Sequence, residues 1–194
     1  GIPLWIRNTM SPDAPGTQIA AHTSSQAEYI TGIASIENVA LLNVEGGGMV
    51  GLPGIAGRIF STLAAAKINI VMISQASSEH SICFVIPDAD APRAQRALEA
   101  ELERELHRKI IQRVAVERDL EIVAVIGENM RGKPGISGWL FQALGEASIN
   151  VLAIAQGSSE MNISFVVHRK DREQTLNAVH RAFFSGDQGA RRTR

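Results

Sequence analysis

Short apolar runs alternate with amphipathic stretches along most of the chain. Val39–Glu45 and Leu120–Ile126 are rich in β-branched and aliphatic residues and predict buried strands. A Gly-rich turn follows each run, and then apolar residues recur at helical spacing. Ile55, Ile59, Phe60 and Leu63 form one such series, and Ile136, Leu140, Phe141 and Leu144 the other. Pro53 and Pro134 stand where the first helical position is expected, a place that tolerates a missing N–H. Asn69–Gln75 and Asn150–Gln156 predict further strands, as do Ser81–Ile86 and Asn162–Val167. The intervening Ala-Ser-Ser-Glu-His (76–80) and Gly-Ser-Ser-Glu-Met (157–161) read as hairpin turns. Ala91–His107 and Arg172–Phe183 predict second helices, the former with Leu98, Leu102 and Leu106 along one face.

These two series are one series written twice. Leu41–Ile86 laid over Ile122–Val167 at a shift of 81 residues gives, without gaps, about 21 identities in 46 positions. Two copies are too few for a solenoid, so a duplicated small domain is the reading. The first copy closes with Ile110–Glu117, giving βαββαβ. The second has no such strand, because Ser185–Arg194 is polar and basic. Tyr29–Ile36 is the expected substitute. The expected division is an exit segment of a preceding domain and a linker over 1–28, a first domain over 37–118, a second over 29–36 plus 119–184, and a disordered tail over 185–194. The first domain is thereby inserted in the second. The apolar strands have edges to cover, so the two copies are expected to pool their strands side by side.

Composition narrows the class. The 194 residues are 45% hydrophobic and 20% charged with a formal net charge of −1, which excludes wholesale disorder and a strongly basic nucleic-acid binder. A single cysteine, Cys83, rules out an internal disulfide and a thiolate metal site, and no apolar run reaches the roughly 20 residues of a membrane span. A cytoplasmic setting is expected. Gly1 leads directly into a strand-like Ile2–Ile6, as in a piece cut from a longer chain.

Candidate chemistry is sparse. Gly46-Gly47-Gly48-Met49-Val50-Gly51 satisfies G-x-G-x-x-G after a strand. A dinucleotide site should then carry an acidic residue at the end of the next strand, where Gln75 stands instead. The second copy reads Gly127-Glu128-Asn129-Met130-Arg131-Gly132 and loses the pattern, and Gly132-Lys133-Pro134 lacks the Ser or Thr of a phosphate loop. The histidines are scattered without ligand spacing, and His80 becomes Met161 in the other copy, so neither a metal site nor a catalytic pair is duplicated. Both copies do keep Gly-x-Pro-Gly at the helix start. Backbone N–H groups there suit a small carboxylate, although a tight turn that needs glycine for its dihedrals uses the same residues. The repeated Asn69/Asn150 and Gln75/Gln156 could hold a zwitterion without adding charge.

Tandem βαββαβ units with this signature resemble a pair of ACT domains, small amino-acid-sensing modules of metabolic enzymes. The fold implied is α+β: tandem ferredoxin-like units with a larger antiparallel sheet and helices on one face. The strings Gly48–Ala56, Val71–Glu79 and Asn150–Glu160 are similar to the C-terminal regulatory region of aspartate kinase. The likeness is greatest to threonine-responsive forms, including those fused to homoserine dehydrogenase. Gly1–Ala20 resembles the last strand and exit segment of the kinase domain. The resemblance implies a regulatory region that binds an end-product amino acid, threonine before lysine, and restrains phosphorylation of L-aspartate. It implies a parent kinase using ATP and Mg, whose active site lies upstream, a homodimer, and neither catalytic residues nor a cofactor within this chain. A structural dimerisation module with vestigial pockets is the alternative.

Carried over residue by residue, the first effector site would comprise Met49, Val50, Gly51, Leu52, Pro53, Gly54, Ile55, Asn69, Ile70 and Gln75. Its counterpart would comprise Met130, Arg131, Gly132, Pro134, Gly135, Ile136, Asn150, Val151 and Gln156. Val50-Gly51-Leu52 is apolar whereas Arg131-Gly132-Lys133 is basic, so unequal affinity is expected, with the first site favoured.

Overall fold

Two strands of 14 residues, β3 (Gly32–Glu45) and β6 (Arg113–Ile126), run antiparallel through the middle of the molecule. The computed structural model describes residues 2, 4–19, 29–75 and 80–184. A short ribbon of β1 (Leu4–Ile6) and β2 (Thr17–Ile19) comes first, with Leu4 opposite Ile19. After β3 come α1 (Ile55–Ala65), β4 (Met72–Gln75), β5 (Ser81–Pro87), α2 (Ala91–Glu101) and α3 (Glu103–His107). After β6 the order repeats as α4 (Ile136–Glu146), β7 (Ala153–Gln156), β8 (Asn162–His168) and α5 (Arg172–Phe184). The main sheet is antiparallel, in the order β4-β5-β3-β6-β8-β7.

The sequence predicts four separate strands where the structure has β3 and β6. Tyr29–Ile36 and Val39–Glu45 merge into one, as do Ile110–Glu117 and Leu120–Ile126. Asn38 and Asp119, both at φ 57, carry the chain through each junction in the left-handed region that Asn and Asp tolerate. One extra residue enters β3 between Ile36 and Val39, and one enters β6 between Glu117 and Leu120. Each bulge flips the side-chain alternation. Ile33 therefore lies on the same side as Ala40, Leu42 and Val44, and Val114 and Val116 on the same side as Val123 and Val125. Gly32–Ile36 pairs with Ile126–Ile122 beside β8, the place where the second copy lacked a strand of its own.

Three cores result. Helices α1 and α2 cover Leu42, Val44, Phe84 and Ile86, while α4 and α5 cover Val123, Val125, Phe165 and Val167. The helix-free face carries a smaller cluster of Val39, Leu41, Met72, Val85, Leu120, Ile122, Ala153 and Val166, drawn from both copies. The edges β4 and β7 meet there: Ser74 Oγ donates to the Ile154 carbonyl at 2.7 Å. The predicted Ala91–His107 helix is interrupted at Leu102, whose φ of −99° and ψ of 15° leave the helical region while its side chain stays fully buried. The predicted strands at Asn69 and Asn150 start three residues later, at Met72 and Ala153. The predicted turn at 76–79 and the tail at 185–194 lie outside the described residues.

The copies differ at their joint. In the first, Ala40 and Ala91 are buried at 0% and 1% exposure; a shift of 81 places Glu121 and Arg172 there in the second. Glu121 is also 0% exposed, with Arg172 Nε at 2.8 Å from one carboxylate oxygen and Glu37 at 2.7 Å from the same guanidinium. Despite this approach, neither Glu121 oxygen is in a directed hydrogen bond. Arg172→Ala should therefore cost about 3 kcal/mol by stranding a buried carboxylate. The double change Glu121→Ala/Arg172→Ala, which restores the alanines of the first copy, should cost less. Urea midpoints of the singles and the double test this, and a double variant weaker than Arg172→Ala would refute it.

Two further ion pairs fasten helix ends to strands and to each other. Arg118 holds the Asp88 carboxyl below the usual carboxylate range through a 2.8 Å hydrogen bond, and Arg58 does the same to Glu105 at 2.6 Å. A lowered folded-state pKa gives stability that is present above the ordinary carboxylate range and lost as pH falls through it. Unfolding midpoints should thus drop below about pH 4 in the native chain and drop less steeply in Arg58→Ala/Arg118→Ala.

Candidate functional site

The loop after β3 is built on close backbone contacts. Gly46 N–H donates to the His80 carbonyl at 2.9 Å and Gly48 N–H to the Ile110 carbonyl at 3.2 Å. A Cβ on Gly46 would lie 2.6 Å from the Ile111 Cα, and one on Gly48 would lie 2.8 Å from the Ile110 Cα. These glycines are required because the entry to β6 lies on them, which accounts for the dinucleotide-like spacing without a nucleotide. Gly127 repeats the arrangement against Tyr29 and Ile30, with the Ile30 Cα 2.9 Å from the would-be Cβ. Its N–H donates to the Met161 carbonyl at 2.9 Å.

Farther along, glycine serves dihedral angles instead. Gly51 and Gly132 have φ of 70° and 66°, and Gly54 and Gly135 have φ of 93° and 92°. Gly54 and Gly135 are the N-caps, so the helices begin at Ile55 and Ile136. This corrects the expectation that Pro53 and Pro134 open the helices: each proline precedes a left-handed residue that no helix contains. Neither helix has a side-chain cap or an acidic residue in its first turn. The positive ends of α1 and α4 are thus uncompensated from within their own first turns, an arrangement that favours an anion.

The predicted residues separate into four groups. Met49, Ile55, Met130 and Ile136 are buried, at 3–8% exposure, and floor the loops as core residues. Val50, Gly51, Leu52, Pro53 and Gly54 are exposed, as are Arg131, Gly132, Pro134 and Gly135. Gln75 stands at the same end of the molecule, since it pairs with Ile82, which pairs in turn with Val44 just before the loop. Gln156 repeats this through Ile163 and Val125. Asn69 and Ile70, by contrast, follow the far end of α1. Its 11 residues put them roughly 16 Å from the loop, and Asn150 and Val151 stand likewise beyond α4. One chain therefore brings each glutamine to its own Gly-x-Pro-Gly loop and keeps each asparagine away from it.

A contact that sequence reasoning did not assign joins the second loop to the β7–β8 hairpin: Gly132 N–H donates to Glu160 Oε2 at 2.7 Å. The Ser-Ser-Glu repeat was its visible trace. The described groups with shifted acidity lie elsewhere. Burial pushes the Cys83 thiol up, and the thiol donates to the Ser74 carbonyl at 2.9 Å. An open groove along the outer face of α1, lined by Gly57, Arg58, Ser61 and Ala65, reaches the predicted set only at Gly54. Among the described residues no three His, Cys, Asp or Glu gather as metal ligands, and no helix is long and apolar enough to cross a membrane.

Two stretches with this geometry, residues 42–102 and 123–183, match the ACT domain family. The chain belongs to that family. The chain is 43% identical over 190 residues to the chloroplastic bifunctional aspartokinase/homoserine dehydrogenase of Daucus carota, covering 94% of this chain and 21% of that protein. The chain thus spans about a fifth of the length of this curated relative. Among solved structures, Clostridium acetobutylicum aspartate kinase is similar with a TM-score of 0.81 and 27% identity, over 94% of this chain and 42% of that one. The ligand-free regulatory subunit of Thermus thermophilus aspartate kinase is similar with a TM-score of 0.66 and 27% identity, over 80% of this chain and 99% of that one.

The two uses of glycine should be separable by mutation. Gly54→Ala adds a Cβ into open space at a left-handed φ and should cost about 1–2 kcal/mol. Gly46→Ala meets the backbone of Ile110 and Ile111 and should cost more, about 3 kcal/mol. Chemical denaturation of both variants checks the order.

Proposed function

We propose that the ACT pair is the regulatory region of an aspartate kinase and binds an end-product amino acid, with threonine preferred over lysine. The observation that carries this reading is the duplicated helix start. In each unit a left-handed glycine opens a helix with no side-chain cap, and a glutamine on the edge strand two strands away stands level with the strand end that leads into this loop. Loop N–H groups would take the ligand carboxylate, and the carboxamide would take a hydroxyl or ammonium group. The likeness to a regulatory subunit over nearly all of that subunit's length supports the same reading. In the parent polypeptide, binding would act on L-aspartate phosphorylation through its differential affinity for two kinase states.

The distance of Asn69 from its own loop supports a homodimer. Among the described residues, β4 and β7 are sheet edges with no further strand paired along them, Ser74 Oγ reaching the Ile154 carbonyl from one to the other. A second copy laid antiparallel along such an edge would bring its Asn69-bearing end beside the loop of the first. Each site would then be completed across two chains. We further read residues 37–118 as one ACT unit inserted in the other, 29–36 plus 119–184, since the shared strands give each unit four strands and its helices.

Gln75→Ala should weaken threonine binding roughly 2- to 12-fold, the loss of one neutral hydrogen bond. Gln156→Ala should weaken it less, and neither should change the unfolding midpoint appreciably. Calorimetric titration of threonine and then lysine into the native chain and both variants is the measurement. Unchanged affinity in Gln75→Ala removes that residue from the site. Binding of neither amino acid leaves a structural dimerisation module.

A further inference from the structure

Gly132 opens the second Gly-x-Pro-Gly loop, and its N–H is already occupied by a carboxylate of the same chain. Glu160 Oε2 accepts from it at 2.7 Å. We propose that Glu160 is an internal occupant of the second loop, holding the backbone donor that a free carboxylate would use, so that an amino acid binds there only when Glu160 swings out. This rests on the reading that these loops receive an amino-acid carboxylate.

Three observations support it. The first is that the contact is charge-assisted, which makes it the stronger class of hydrogen bond to a backbone N–H. Another is that Glu160 is exposed, so no packing holds its side chain on the loop. Its backbone is fixed nonetheless, by Glu160 N–H to the Gly157 carbonyl at 3.0 Å and by Gly127 N–H to the Met161 carbonyl at 2.9 Å. The carboxylate can therefore leave and return without rearranging the hairpin. Finally, Arg131 and Lys133 flank Gly132, and α4 begins shortly afterwards with neither a side-chain cap nor an acidic first turn. With Glu128 earlier in the same loop, Arg131 and Lys133 leave it one net positive charge, and Glu160 is the carboxylate that meets the Gly132 N–H.

The consequence is a second loop whose apparent affinity is lower than it would be without Glu160, and whose response includes the displacement of Glu160. A simple turn clamp would behave oppositely, because removing it would loosen the loop and weaken binding.

The test follows the Gly132 amide resonance of the full 194-residue chain in the native, Glu160→Gln and Glu160→Ala forms. Titrations use threonine, lysine and acetate, the last as a minimal carboxylate. The Gly132 amide should move on substitution before any ligand is added. In Glu160→Ala it should respond to acetate, and to the effector at concentrations about tenfold lower than in the native chain. An unmoved Gly132 amide, an acetate response equal in all three forms or absent from all, or weaker effector binding in Glu160→Ala would each overturn the proposal. Binding of neither amino acid to any form, with an acetate response confined to Glu160→Ala, would reject the effector assignment and leave the internal occupant standing.

Discussion

The pairing of β3 with β6 is the constraint on which the rest of this molecule depends. Each strand serves two units, so its side chains must face the correct helices at both ends. A regular 14-residue strand cannot do this here, because alternation with a period of two would turn Val114 and Val125 to opposite faces. The single-residue bulges at Asn38 and Asp119 reset the alternation once in each strand. Both helical layers then lie on one face, and the opposite face is left to the shared cluster around Leu41 and Leu120. Because each bulge is held by polar side chains (Arg169 on Asn38, and Arg118 beside Asp119 on Asp88), the joint is specified by hydrogen bonds as well as by apolar burial.

Duplication supplied one backbone, and substitution made its two halves physically unlike. Glu45 and Arg113 form a 2.6 Å ion pair on the helix-free side of the first unit. At the repeat-equivalent positions of the second, Ile126 stands opposite Gly32. The buried alanines of the first joint are replaced by the Glu121–Arg172 pair of the second, and apolar Val50 and Leu52 of the first loop by Arg131 and Lys133. None of these exchanges disturbs the strand order, because each falls where side chain and not backbone is being chosen. They do change what each loop presents to a charged ligand, so two sites of common descent need not share an affinity.

Much of this was legible in the sequence because it rests on local periodicity. The shift of 81 residues, the β-branched runs and the i, i+3, i+4 apolar spacing of α1 and α4 depend only on which face of an element is buried. Those features gave the element order, the closing role of Tyr29–Ile36 and the loops that carry the candidate sites. Where sequence reading failed at helix ends, a single residue's backbone dihedrals made the choice. Pro53 looked like a first helical residue, but Gly54 in the left-handed region starts the helix after it. Leu98, Leu102 and Leu106 looked like one uninterrupted helix, yet Leu102 leaves the helical region while remaining in the core.

What the sequence determined by itself was therefore the content of the two units: their strands, their helices, and the Gly-x-Pro-Gly turns before the first helix of each. Tertiary structure alone decided how the units share strands and which predicted residues meet. The packing of Ile110 and Ile111 on Gly46, the separation of Asn69 from its own loop, and the carboxylate of Glu160 on Gly132 all join residues from different elements. The physical reason is that a turn's dihedral needs are local, whereas a close backbone approach or a long-range hydrogen bond exists only after two elements have been placed together.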